Sequence, residues 1–185
     1  MLRDECFWEG AIDSGPIPEI GEGFDIIICG GGPGGSAAAY YAAERGAKVL
    51  LLEKRVFPDT KVCGDAVGGK SLKFIKDMGI KTRLENGAHF KVRGIVFSNG
   101  RNFVEVPLPE DEIAAKEAGY SLPRVRMDWL LFNRAVEVVR ETEGFVIQDF
   151  TVSSVLYDDG SGGEDPGVGS GDLRRVVGIK GMHGG

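Results

Sequence analysis

Residues 24–53 read FDIIICGGGPGGSAAAYYAAERGAKVLLLE and constrain the fold more than any other stretch of the chain. An apolar run from Phe24 to Cys29 meets a glycine cluster with the spacing G-x-G-x-x-G at Gly30, Gly32 and Gly35. An alanine-rich helical segment follows, then a second apolar run, Val49 to Leu52, that ends in Glu53. Strand, tight turn, helix and parallel strand with a terminal acid is the pattern of a dinucleotide-binding βαβ unit.

Each position has a physical reason. Gly30 lets the backbone turn sharply out of the strand, Gly32 lets a pyrophosphate approach the main chain, and Gly35 lets the helix pack near the strand. The helix N-terminus offers unpaired N–H groups and a partial positive charge to phosphates. Glu53 follows Gly30 at about the 20-residue spacing expected of an acid that accepts hydrogen bonds from ribose hydroxyls. A carboxylate there disfavours a 2′-phosphate, so the residues alone point to FAD or NAD rather than NADP. The alternative, a buried strand and turn without a ligand, leaves the coincidence of all four features unexplained.

The 185 residues amount to one domain or one and a part, and a 42% hydrophobic content supports a packed core. A net charge of −6 and a pI near 5.1 argue against a nucleic-acid partner. Three scattered cysteines make no disulfide framework and fit a reducing, cytoplasmic setting. No apolar run reaches the ~18 residues of a membrane span. Residues 1–22 read as an N-terminal extension without signal-peptide character, in which Phe7 and Trp8 pack locally. No Cys/His/Asp/Glu spacing suggests a metal site, and His89 and His183 stand alone. No G-x-S-x-G elbow suggests a hydrolase.

Residues 23–185 read as one domain. Leu72, Ile75 and Met78, with lysines between, predict a short amphipathic helix over 70–78 that Gly79 caps. An antiparallel insertion is expected at about 85–125. Within it, Ile95–Phe97 and Phe103–Val106 flank Asn99-Gly100 as a hairpin, and 111–118 suggests a helical turn or two. A longer helix is predicted over Met127–Glu143, ended by Gly144. Phe145–Ile147 reads as a third parallel strand. Val152–Tyr157 and Leu173–Ile179 read as a meander joined by an acidic, flexible glycine-rich loop at 158–172. The fold class is therefore α/β: a Rossmann-like parallel sheet with inserted antiparallel strands and a β-meander. The insertion ahead of the third parallel strand points away from a simple dehydrogenase and towards a second layer that covers substrate.

DIIICGGGPGGSAAA with LLLEK, then KVCGDAV, then SLPRVRMDWLLFNRA resembles the start of the FAD-dependent geranylgeranyl reductase family, among flavoproteins built like p-hydroxybenzoate hydroxylase. The resemblance covers residues 24 to about 157. It implies an FAD-binding fold, here incomplete at its C-terminus, since family members are about twice this length. It implies that Pro33, Gly34 and Gly35 lie on the pyrophosphate and that Glu53 holds the adenosine ribose. It places Cys63, Gly64, Asp65 and Ala66 at the flavin side, has Arg124 reach FAD, and has Val152 touch adenine through its backbone. The family saturates isoprenoid double bonds, with reduced flavin giving a hydride to an apolar alkene. The implied partners are an isoprenoid lipid substrate, NAD(P)H or a ferredoxin-like electron donor, and a membrane touched peripherally. On this reading the 185 residues alone bind FAD poorly and turn over nothing.

Individual residues keep competing readings. Cys63 is either a thiol beside the flavin, with a catalytic role conceivable, or a small buried hydrophobe. Cys29 is expected in the core and Cys6 at the surface. Asp65 either orients its loop or acts near the flavin. Arg124 either makes an exposed pair with Asp128, worth little, or reaches FAD, which the motif favours. Arg126 is expected to face solvent and Trp129 to pack. Lys54 and Arg55 either neutralise phosphate or form a solvated basic pair. A flavin monooxygenase or halogenase of the same fold, and a non-catalytic nucleotide-binding module, are the alternatives to the reductase.

Overall fold

A computed structural model describes residues 15–59, 61, 63–111, 119–158, 162–163 and 175–184. The chain separates into two compact units, one of Thr60–Leu130 and one of the flanking segments that end at Asp59 and resume at Leu131.

The flanking unit carries the dinucleotide pattern. Strand β1 (Ile26–Cys29) leads through the glycine turn into helix α1 (Pro33–Ala43), which returns the chain to strand β2 (Val49–Leu52). β2 pairs in parallel with β1 and with β8 (Phe145–Ile147), giving the order β1-β2-β8. The third parallel strand thus lies where the sequence placed it. All four β2 side chains are buried, as expected for a central parallel strand covered on both faces. Leu50 and Leu52 cluster with Ile147 on one face, where Phe24, Phe150, Val152 and Ile179 pack against them. Each such leucine contributes roughly 1.5–3 kcal/mol by leaving water. The other face carries α1, which buries Ser36, Ala39, Tyr40 and Ala43 along one stripe. Small residues there let α1 lie close to β1 and β2.

The meander packs β9 (Phe150–Tyr157) between β10 (Gly162–Gly163) and β11 (Val176–His183), all antiparallel. β11 begins and ends later than the expected 173–179 strand, although residues 173–174 lie outside the described residues. Most of the expected loop 158–172 also lies outside them, and Gly162 and Gly163 pair with β9 rather than standing free.

Helix α4 (Arg124–Glu141) starts three residues earlier than the apolar pattern suggested. Pro123 accepts the Arg126 and Met127 N–H groups and so opens the first turn. At its other end Glu143, not glycine, takes the left-handed conformation with φ 57°. Gly144 is needed for closeness instead: a Cβ there would meet Val139 Cγ1 at 2.6 Å and the Val49 carbonyl at 2.7 Å.

The Thr60–Leu130 unit holds helix α2 (Ser71–Asp77), helix α3 (Lys81–Glu85) and two small sheets. Gly79 follows α2 with φ 73°, the left-handed residue that ends it. Strands β3 (Ala66–Val67), β7 (Tyr120–Ser121) and β4 (Phe90–Lys91) form one antiparallel sheet in that order. Both that sheet and α3 are too short to show as periodic patterns. The hairpin is present as β5 (Gly94–Ser98) and β6 (Phe103–Pro107). Asn99 Oδ1 accepts the N–H groups of Arg101 and Asn102 across its turn. The expected turn at 111–118 lies outside the described residues from 112 onward, as do Cys6, Phe7 and Trp8.

Candidate dinucleotide site

Chain reversal at Gly30 is sharp. Its φ of +109° suits glycine, and its N–H donates to Leu52 O at 2.6 Å. Gly35 then packs so closely that a Cβ on it would land on the Gly30 carbonyl oxygen. Those are the roles expected of the first and last glycines of the motif. Gly32 is the N-cap of α1 in extended conformation, and no side chain caps the helix. Pro33 at N1 has no N–H to satisfy, and the first-turn N–H groups of Gly34 and Gly35 have no intrahelical partner. Nothing lies within 4 Å of a Cβ built on Gly34. An uncapped helix N-terminus behind an open glycine face fits a pyrophosphate.

Glu53 is where the structure adds most. It is 4% exposed, and its carboxylate is engaged by the chain itself. Gly31 N–H donates to Oε2 at 2.6 Å, and Arg55 N–H donates to Oε1 at 3.0 Å. The acid at the tip of β2 therefore fixes the glycine turn. Gly31, which the motif spacing passes over, is as constrained as its neighbours. A Cβ there would meet the Phe132 ring at 2.5 Å and Glu53 Cβ at 3.3 Å. Ser36, fully buried, donates its hydroxyl to Gly31 O at 2.7 Å and closes the turn from the helix side. Phe132 stacks on Phe57 with ring centroids 4.4 Å apart. The loop after Glu53 is anchored by Gln148, 1% exposed, whose Oε1 accepts the Phe57 N–H at 2.6 Å. The run of three glycines was a signal for Gly31, and a lone polar residue closing the apolar run Phe145–Ile147 was a signal for Gln148.

One expectation in this unit changes. Cys29 is exposed rather than in the core, although partial burial still pushes its thiol pKa up. Arg55 pairs with Asp59 at 2.7 Å. Lys54 is exposed. Val152 stands in β9 opposite Gly181, its side chain half-buried against the Leu50–Leu52–Ile147 cluster.

In the Thr60–Leu130 unit, Cys63, Asp65 and Arg124 come together. Asp65 accepts the Arg124 N–H on Oδ1 at 3.1 Å, and its carbonyl accepts the Leu122 N–H at 3.0 Å. Asp65 thus caps the first turn of α4. Arg124 grips Asp128 through Nε at 2.9 Å and Nη2 at 2.8 Å. With Asp128 1% and Arg124 17% exposed, the pair is partly buried, not the surface pair that an i,i+4 spacing suggests. The Asp128 carboxylate, with a smaller contribution from the Cys63 thiol, pushes the Arg124 pKa up. Gly64 and Ala66 are exposed beside them, as is Cys63.

Arg126 does not face solvent. It is 6% exposed and donates to the carbonyls of Ala88, Arg83 and Leu84 at 2.7, 2.9 and 2.9 Å. It satisfies the C-terminal carbonyls of α3 at a cost that burial shows by pulling its pKa down. Gly87 is glycine because a Cβ would overlap this guanidinium. Trp129 packs at 7% exposure, as expected.

Residues 25–69 match the family described as FAD dependent oxidoreductase. Among curated proteins, Conditioned medium factor receptor 1 of Dictyostelium discoideum is 31% identical over 145 residues, which are 75% of this chain and 28% of that protein. Among solved structures, the myxobacterial FAD-dependent halogenase CndH aligns with a TM-score of 0.68 and 23% identity, over 86% of this chain and 33% of the halogenase. A geranylgeranyl bacteriochlorophyll reductase-like protein of Thermoplasma acidophilum aligns with a TM-score of 0.53 and 24% identity, over 87% of this chain and 35% of its own. The chain therefore spans about a third of the length of the proteins it matches. Turn and fold agree: this chain has a Rossmann-like α/β fold like that of FAD-binding flavoproteins, and its glycine-turn segment is the part that matches the FAD dependent oxidoreductase family.

Proposed function

We propose that the chain is the dinucleotide-holding part of an FAD-dependent oxidoreductase that saturates isoprenoid C=C bonds of geranylgeranyl lipids or diphosphates. One observation carries the cofactor half of this reading: the glycine turn, held by Glu53, at the uncapped N-terminus of α1. Bound and reduced, FAD supplies a hydride to an alkene carbon. The chain's own part is to seat the pyrophosphate on the Gly34 and Gly35 N–H groups and to keep the turn rigid through Glu53, Ser36 and Phe132. The resemblance assigns Cys63–Ala66 and Arg124 to the flavin end, and the reductase-like neighbour supports the substrate class. The electron donor is NAD(P)H or a ferredoxin-like protein, and a lipid substrate brings the protein to a membrane periphery. Among the described residues no helix is long and apolar enough to cross a membrane.

The halogenase alignment has the higher TM-score and supports a second reading, a flavin-dependent halogenase or monooxygenase. Titration of FAD into the 185-residue chain, followed by quenching of flavin fluorescence, tests the shared half, and weak but saturable binding is expected. Loss of binding on Gly34→Leu confirms the turn as the seat. A polypeptide that carries this segment then decides between readings. Anaerobic consumption of reduced flavin by a geranylgeranyl lipid supports the reductase. Consumption that needs oxygen, with or without halide, overturns it.

A further inference from the structure

Charge is unevenly distributed along this chain. Residues 60–101 hold nine lysines and arginines against three acidic residues, a net of +6 in a chain whose total is −6. That stretch is the first part of the Thr60–Leu130 unit, most of whose acids come later, from Glu105 onward. Exposed aromatic rings gather in the same unit. Phe74, Phe90, Phe97 and Phe103 are 49, 80, 61 and 68% exposed. No described phenylalanine of the flanking unit is exposed. Helix α2 brings cations and a ring onto one surface. Its turn of about 100° per residue sets Lys70, Lys73 and Lys76 on the side away from the buried Ile75 and Met78. All three lysines are exposed. Phe74 follows Lys70 by four residues and so lies next to it on that side. Asp77 is the single acid of the helix.

We propose that the Thr60–Leu130 unit docks on an anionic lipid bilayer through this side of α2, with Lys70, Lys73 and Lys76 against the headgroups and the Phe74 ring in the interface between them. Charge complementarity selects the sign of the partner. A chain of net −6 is repelled as a whole by an anionic surface, and a segregated cationic stretch reverses that balance only locally, within the ~8–10 Å over which charges act at moderate salt. The exposed apolar side chains select its kind. Nucleic-acid bases stack on phenyl rings but gain little from Ile95, Val96 and Val104, which are 52, 60 and 62% exposed in the same unit. A headgroup boundary takes rings and aliphatic groups alike, and lysine stems lie along it with the charge in water. Each such cation near an anionic leaflet raises partitioning roughly fivefold. The inference gives a surface to the membrane contact proposed above, but it stands on charge and exposure. Its readout involves neither flavin nor isoprenoid, so its failure leaves the flavoenzyme reading untouched.

Co-sedimentation of the 185-residue chain with lipid vesicles at low salt tests it. Phosphatidylcholine vesicles carrying about 30% phosphatidylserine should retain the chain, and phosphatidylcholine alone should not. Raising salt to about 0.5 M should release it, because the Debye length then falls to roughly 4 Å. Joint substitution Lys70→Gln, Lys73→Gln and Lys76→Gln should lower partitioning about a hundredfold, as three cations at roughly fivefold each require. Since all three side chains are exposed, Tm should not move. Phe74→Ser should lower partitioning severalfold at constant charge. The proposal is overturned if the parent chain stays in solution with anionic vesicles, or if neutral vesicles retain it as well. It is equally overturned if the triple variant or Phe74→Ser partitions like the parent, which puts the contact elsewhere. Single-stranded RNA that binds more tightly than the vesicles at the same salt, through the same lysines, makes the partner a nucleic acid and overturns it too.

Discussion

Replacing Glu53 by glutamine separates the anchoring of the glycine turn from the ribose contact proposed for the same carboxylate. In the chain without FAD, both carboxylate oxygens accept backbone N–H groups, from Gly31 at 2.6 Å and from Arg55 at 3.0 Å, at a site only 4% exposed. Glutamine has one acceptor oxygen and turns an amide NH₂ towards the other donor. Leaving a buried donor unsatisfied costs about 1–3 kcal/mol. The bond that survives loses its charge assistance, about another 1 kcal/mol. The sum, about 3 kcal/mol, lowers Tm by roughly 6–12 °C for a chain of this size. The assay is thermal and urea unfolding of Glu53→Gln without any flavin, so that ribose contacts do not enter. Glu53→Asp keeps the charge but is one methylene shorter. It cannot span both donors and should fall between the two. If apo Glu53→Gln melts within about 2 °C of the parent, the carboxylate is not an anchor of the turn, and its only role is towards the sugar.

Gly35→Ala drives a methyl into the Gly30 carbonyl, which is backbone and cannot swing aside, so a loss of about 2–3 kcal/mol is expected in urea unfolding. Gly34→Ala meets nothing, so helix propensity should raise stability by up to about 1 kcal/mol. The same methyl sits on the phosphate face, so FAD affinity should fall; stability and affinity moving in opposite directions is the signature to look for. Asp128→Ala strands Arg124 and should cost about 3 kcal/mol, whereas Asp59→Ala, which breaks an exposed pair, should cost less than about 1 kcal/mol. Burial and the Glu85 carboxylate, 2.7 Å from its hydroxyl, push Tyr120 up from 10.0 to about 12. Because the neutral phenol is the form favoured by folding, its contribution is complete below pH 10 and is lost as pH rises towards about 12. Unfolding midpoints against pH should show that loss, and Tyr120→Phe should flatten it.

The legible part of this fold is the part whose side chains repeat. β1, α1, β2 and β8 were readable because strands of a parallel sheet read as continuous apolar runs, and because the glycine spacing tolerates few other geometries. Gly30 and Gly35 were readable for the same reason: a positive φ and a backbone contact each leave glycine as the economical choice. What stayed hidden depends on partners distant in sequence. Arg126 looks like any charged residue at a helix start, and only the α3 carbonyls folded around it make burial tolerable. Asp128 looks like half of an i,i+4 surface pair, and only its 1% exposure makes it a buried anchor for Arg124. Cys29 ends an apolar run and so reads as core, yet the sheet has no second neighbour there among the described residues. That misreading is informative. Local composition reports the environment for which a strand is suited, while the structure reports the environment it has. At β1 the two disagree: a run of the kind that fills a sheet interior has, among the described residues, one strand neighbour, and its last side chain is exposed.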